Sequence, residues 1–137
     1  MKRTCRLLIG VTTCLVASVA TASDGEGNYA IWGAGSRSCN QFTRAAADAT
    51  QLPTYRDYVM GYLTAFNTLA PDTYDAVGGQ TLEATLSWVG SYCEQHKMDS
   101  FERALGQMIV ARHEQRIRVP PGASRGWGNG STVPSGP

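Results

Sequence analysis

Cys39 and Cys93 constrain this chain more than any other pair of residues. Each falls on an apolar stripe of helical period. Cys39, Phe42, Ala46 and Ala49 recur at spacings of three and four, and so do Leu82, Leu86, Val89 and Cys93. Two cysteines on the inner faces of two helices can meet in a compact bundle. A bridge between them closes a loop of 54 positions, worth about 4 kcal/mol on the chain-entropy account. For a small domain that is a large part of total stability.

The pairing needs an oxidising compartment, and the first residues point to one. Met1-Lys2-Arg3 and Arg6 precede an apolar run from Leu7 to Val19, which closes on Ala20-Thr21-Ala22. A basic start, a short apolar stretch and small residues at the end describe a secretory signal peptide over residues 1–22. The run is shorter than the roughly 20 apolar residues a membrane-spanning helix needs. Cys5 and Cys14 lie before the Ala-Thr-Ala site, so neither would begin the mature chain as a lipoprotein cysteine does. Cleavage after Ala22 leaves Cys39 and Cys93 to pair, in the periplasm of a bacterial envelope.

Cleavage also changes the charge. Lys2, Arg3 and Arg6 leave with the signal, so nine Lys and Arg remain against eleven Asp and Glu, a net charge of −2. That balance argues against a nucleic-acid or anionic-membrane partner, either of which calls for a basic patch.

Punctuation along the mature chain predicts an all-α fold: a small four-helix bundle stapled by one disulfide. Residues 23–36 are small, polar and glycine-rich and read as a flexible lead-in, with Tyr29, Ile31 and Trp32 placed to touch a core. Ser38 and Gln41 form a capping box, predicting a helix to about Ala49. Pro53 opens the second helix, to about Ala70, whose face carries Tyr55, Tyr58, Val59, Tyr62, Leu63 and Phe66. Gly61 inside it costs about 1 kcal/mol relative to Ala, which a close helix–helix contact would justify. Asp72 to Gly79 reads as a loop with a Gly78-Gly79 turn. The third helix runs from about Thr81 to His96. Asp99 and Glu102 suggest a cap for the fourth, whose end, Arg112 to Arg118, is charged and expected in solvent. The helical domain spans 37–118. Residues 119–137, Gly- and Pro-rich around Trp127, have the composition of a disordered tail.

No catalytic, metal or cofactor constellation emerges. His96 and His113 have no cysteine or carboxylate at metal-ligand spacing, and there is no His-Glu-x-x-His or Cys-x-x-Cys. A Gly-x-Ser-x-Gly elbow is missing. Cys93 with His96 would suggest a thiol nucleophile, but the expected disulfide removes it. Asp72 and Asp75 supply too few oxygens for calcium. Tyr55, Tyr58, Val59, Tyr62 and Phe66 are the candidate apolar binding face; stripes of this spacing usually form core.

Ser38-Cys39-Asn40-Gln41-Phe42 opening a helix, Met60-Gly61-Tyr62-Leu63-Thr64-Ala65-Phe66-Asn67 in the next, and Ser91-Tyr92-Cys93-Glu94-Gln95-His96 closing a third resemble the HdeA/HdeB family of periplasmic acid-stress chaperones. The resemblance covers roughly residues 37–113. It implies a four-helix fold with one disulfide, a homodimer at neutral pH, and opening in acid to hold unfolding client proteins. This chain is less charged than that family's pattern, and its Gly/Pro tail is foreign to it. A second reading is a secreted immunity or inhibitor protein that binds a single periplasmic partner. Immunity proteins of the Tai type share the Gly-Tyr-aromatic helix style, but place a cysteine near it that this chain lacks.

Overall fold

The computed structural model describes residues 24–122, so the segment read as a signal peptide and the residues after Gly122, with Trp127, lie outside the described part. The chain divides into two compact units, 1–30 and 31–137. In the described part of the first, Asp24 organises a turn: its Oδ1 accepts from the backbone N–H of Glu26 (2.9 Å) and Asn28 (2.8 Å). These bonds, with the Asn28 side chain, hold the Asp24 carboxyl below its ordinary pKa.

The second unit carries four helices: α1 (Cys39–Ala45), α2 (Leu52–Leu69), α3 (Leu82–Gln95) and α4 (Phe101–Ala111). Two 3-10 turns, Gly33–Ser36 and His113–Gln115, flank the set. Among the described residues there is no strand, only isolated bridges between Ser38 and Ser100 and between Asp75 and Ile117. Cys39 and Cys93 are joined, with Cα atoms 4.7 Å apart, and both are completely buried. The disulfide ties α1 to α3.

Local chemistry starts each helix. The Ser38–Gln41 capping box is complete: the Ser38 hydroxyl accepts from the Gln41 N–H and Gln41 Oε1 accepts from the Ser38 N–H. The next N–H groups of α1 reach out of the helix, Cys39 to the Asp99 carbonyl (2.8 Å) and Asn40 to the Lys97 carbonyl (3.0 Å). Phe101 returns the favour, donating to the Arg37 carbonyl at 2.8 Å. The first turns of α1 and α4 therefore satisfy each other's orphan donors. Thr81 caps α3 and Ser100 caps α4 through their hydroxyls. The expectation that Asp99 caps α4 fails because its carboxylate is engaged elsewhere, by the Tyr92 hydroxyl (2.7 Å) and by Arg103 (3.5 Å).

The core is an aromatic cluster. Phe42 of α1, Tyr55 of α2 and Phe101 of α4 meet with ring centroids 4.6 to 5.1 Å apart, in tilted and T-shaped pairs that suit aromatic quadrupoles. Val59, Val89, Leu105, Met108 and the disulfide complete it. The Gly33–Ser36 turn, inside the stretch read as lead-in, is ordered and packs on α2 and α4, burying Ala34 and Gly35. A Cβ at Gly35 would overlap the Tyr58 hydroxyl and come within 2.9 Å of Ile31 Cγ2, so only glycine fits there unmoved. Trp32, expected near the core, is 81% exposed.

Three further expectations are corrected. α1 stops at Ala45, four residues before Ala49. Gly61 has no neighbour within 4 Å of a built Cβ, so no helix contact requires it. The fourth helix ends at Ala111, not near Arg118. Beyond it the chain turns back as a strap, where the Tyr74 and Asp75 N–H groups donate to the Ile117 carbonyl and Ile117 N–H donates to that of Asp75. Arg116 and Arg118 both pair with Asp72, and the Arg116 side chain is only 11% exposed, so this end is not freely solvated.

Candidate binding surfaces

Tyr55, Tyr58, Val59, Tyr62 and Phe66, the face read from the sequence, do not form one open surface. Tyr55 and Val59 are fully buried. Tyr58, Tyr62 and Phe66 are half-buried and packed against the core. Tyr58 lies 6.0 Å from the Phe101 ring and 6.2 Å from that of Tyr62. The Tyr62 hydroxyl donates to Glu102 Oε1 at 3.4 Å, and Glu102 is itself buried in the first turn of α4. At the outer edge of α2, Arg56 pairs with Glu83 of α3 at 2.8 Å. The Arg56 bond holds the Glu83 carboxyl below its ordinary pKa. The α2 face is thus closed, with carboxylates among its polar ties.

Only the end of this face opens. Phe66 lines a groove of about 650 Å³ with Ile109, Val110 and Ala111 of α4 and the polar residues His113 to Gln115. Val110 is 69% exposed, and Leu69, one turn beyond Phe66 on α2, is 81% exposed. A second groove, of about 380 Å³, runs between α1, α2 and α3 over Phe42, Leu52, Leu86 and Gly90, with Arg56, Glu83 and Glu94 also lining it. Neither groove was legible in the sequence, since each joins helices distant in the chain.

The remaining candidates resolve into structure. Cys93 is in the disulfide and carries no thiol. His96 caps α3 and stacks on Tyr92 (4.2 Å), which stacks on Trp88 (5.9 Å), a ladder at spacing four that helical geometry produces. Donation to Asp99 raises the Tyr92 pKa. Asp75 closes its own loop, accepting from the N–H groups of Val77 (3.0 Å) and Gly79 (2.7 Å), while Asp72 binds the arginines of the strap. Among the described residues no group of three or more His, Cys, Asp or Glu could hold a metal ion, and no helix is long and apolar enough to cross a membrane. No protein-family model, curated protein or solved structure matches this chain.

Proposed function

We propose that this is a secreted, periplasmic, non-catalytic protein-binding module that holds unfolding client proteins in acid. The reading rests on the resemblance to HdeA/HdeB proteins, and one observation carries it. The aromatic face of α2 is covered without being covalently held. The disulfide joins α1 to α3, whereas carboxylates supply polar ties for α2: Glu83 to Arg56 and Glu102 to Tyr62. Strong acid protonates carboxylates in general. The nine Lys and Arg and two His of the mature chain then carry +11, and that self-repulsion loosens a compact state. Helix α2, with two fully buried side chains in 18 residues, buries the smallest share of its residues among the four helices. Its departure uncovers Tyr55, Tyr58, Val59, Tyr62 and Phe66 as a sticky surface, while the disulfide keeps the rest from unfolding fully.

Client aggregation measured at about pH 2–3 and at pH 7, below and above the carboxylate range, tests this. Suppression in acid alone, with apolar-dye binding rising over the same interval, is expected. Failure to suppress in acid while the dye does not bind removes the reading. The Phe66–Val110 groove favours the second reading, an inhibitor or immunity protein, because it is open without any unfolding. That reading predicts one tight partner at neutral pH, lost on Val110→Asp.

A further inference from the structure

Arg56, Arg103, Arg116 and Arg118 each pair with a carboxylate. Arg37 and Arg44 pair with none among the described residues, and both line one cleft of about 250 Å³. Gln41 shares the cleft with them. Gln41 and Arg44, three apart on α1, share one face of the helix, and Arg37 enters from the extended residues just before it. Gln51 and Tyr55, from the start of α2, line the opposite side.

The cleft is organised from beneath. Tyr55 is 1% exposed and its ring is clamped between Phe42 and Phe101. The Arg37 guanidinium sits 5.7 Å from the centroid of that ring, a cation–π placement that orients it. Gln41 commits its Oε1 to the Ser38 N–H, which leaves its amide hydrogens to donate outward. Gln51 is steadied by Asp48, which accepts from its Nε2 at 2.6 Å. That carboxylate also takes the Thr50 hydroxyl (2.6 Å) and N–H (2.8 Å) and forms no ion pair with Arg37 or Arg44. The Tyr55 side chain, otherwise sealed in the core, lines the cleft.

We propose that this cleft binds a small oxyanion, taken by the forked guanidinium groups of Arg37 and Arg44 and by donors from Gln41 and the Tyr55 hydroxyl. Planar guanidinium donors match carboxylate and phosphate oxygens in pairs, which is why two such groups beside neutral donors select an oxyanion over halide. The cleft shares Tyr55 with the acid-opened surface but is read at neutral pH on the folded protein, so either proposal can fail without the other.

The disulfide-intact protein is titrated by NMR at pH 7 and constant ionic strength with inorganic phosphate, with N-acetylglutamate and with chloride. Saturable shifts at Arg37, Arg44 and Tyr55 are expected with phosphate or N-acetylglutamate and not with chloride; the stronger of the two names the source. The double variant R37Q/R44Q should bind about tenfold or more weakly. Tyr55→Phe, which keeps the ring in the core, should weaken binding about threefold to tenfold. Arg103→Gln, remote from the cleft lining, should bind as the parent does. Absence of saturable binding by both oxyanions, or binding unchanged in R37Q/R44Q, overturns the proposal.

Discussion

Helices α2 and α4 differ in what they contribute. α4 buries six of its 11 residues, among them Phe101, Leu105, Met108 and the carboxylate-bearing Glu102. α2 is longer, with 18 residues, yet fully buries only Tyr55 and Val59. Both sequences show a clear apolar stripe. α4 lies at the centre, where α1, α3 and the Gly33–Ser36 turn all pack on it, while α2 is laid along one side. A stripe in the sequence thus tells that a face is apolar, not how deeply it will be covered. The shallow helix is the one that the proposed acid opening would release.

The largest test of that contrast is a pair of truncations. Phe101→Ala in α4 removes the ring shared by Phe42, Tyr55 and Tyr58 and should cost about 3–5 kcal/mol. Phe66→Ala at the open end of α2 should cost distinctly less in the same denaturant titration. Equal losses would put the two helices on the same footing and undo the argument. Next comes Gly35→Ala. The added methyl strikes Tyr58 where the 3-10 turn meets α2, and overpacking there should destabilise by about 1–3 kcal/mol.

Gly61→Ala should act in the opposite direction. Its Cβ meets open space, so the substitution should stabilise by about 0.5–1 kcal/mol, seen as a raised denaturation midpoint with unchanged slope. A loss instead would show that Gly61 faces a second molecule in solution.

The smallest effect is expected of Glu83→Gln. The Glu83 carboxyl has its pKa lowered in the folded state, so its contribution is present above the unfolded carboxylate pKa. It disappears as pH falls through the lowered value. Parent and variant should therefore differ slightly at pH 7 and converge in strong acid. A difference that grew in acid would mean that this ion pair is no tie on α2.

Much of the helical architecture was legible because it is written in short-range chemistry. Ser38 with Gln41, Thr81 and Pro53 mark helix starts through bonds or dihedrals spanning only a few residues. The cysteines were readable as a pair because each sits on an apolar stripe, and stripes face one another. Asp99 misled because Ser100 beside it is an equally good cap, and the choice fell to Tyr92 and Arg103, both outside the four-residue window of a capping box. The binding face was read as one surface, whereas packing buried Tyr55 and Val59 and left Phe66 at a groove edge.

Period, caps and cysteine placement, all properties of neighbours along the chain, were enough to specify four helices and one bridge. Other features joined residues far apart: the Asp72–Arg116 and Asp75–Ile117 ties of the strap, the Gly35–Tyr58 contact, and the cleft where Arg37 meets Tyr55. Such contacts depend on how the helices lie against one another. Apolar faces pack in more than one arrangement, and the spacing of residues along the chain does not distinguish them.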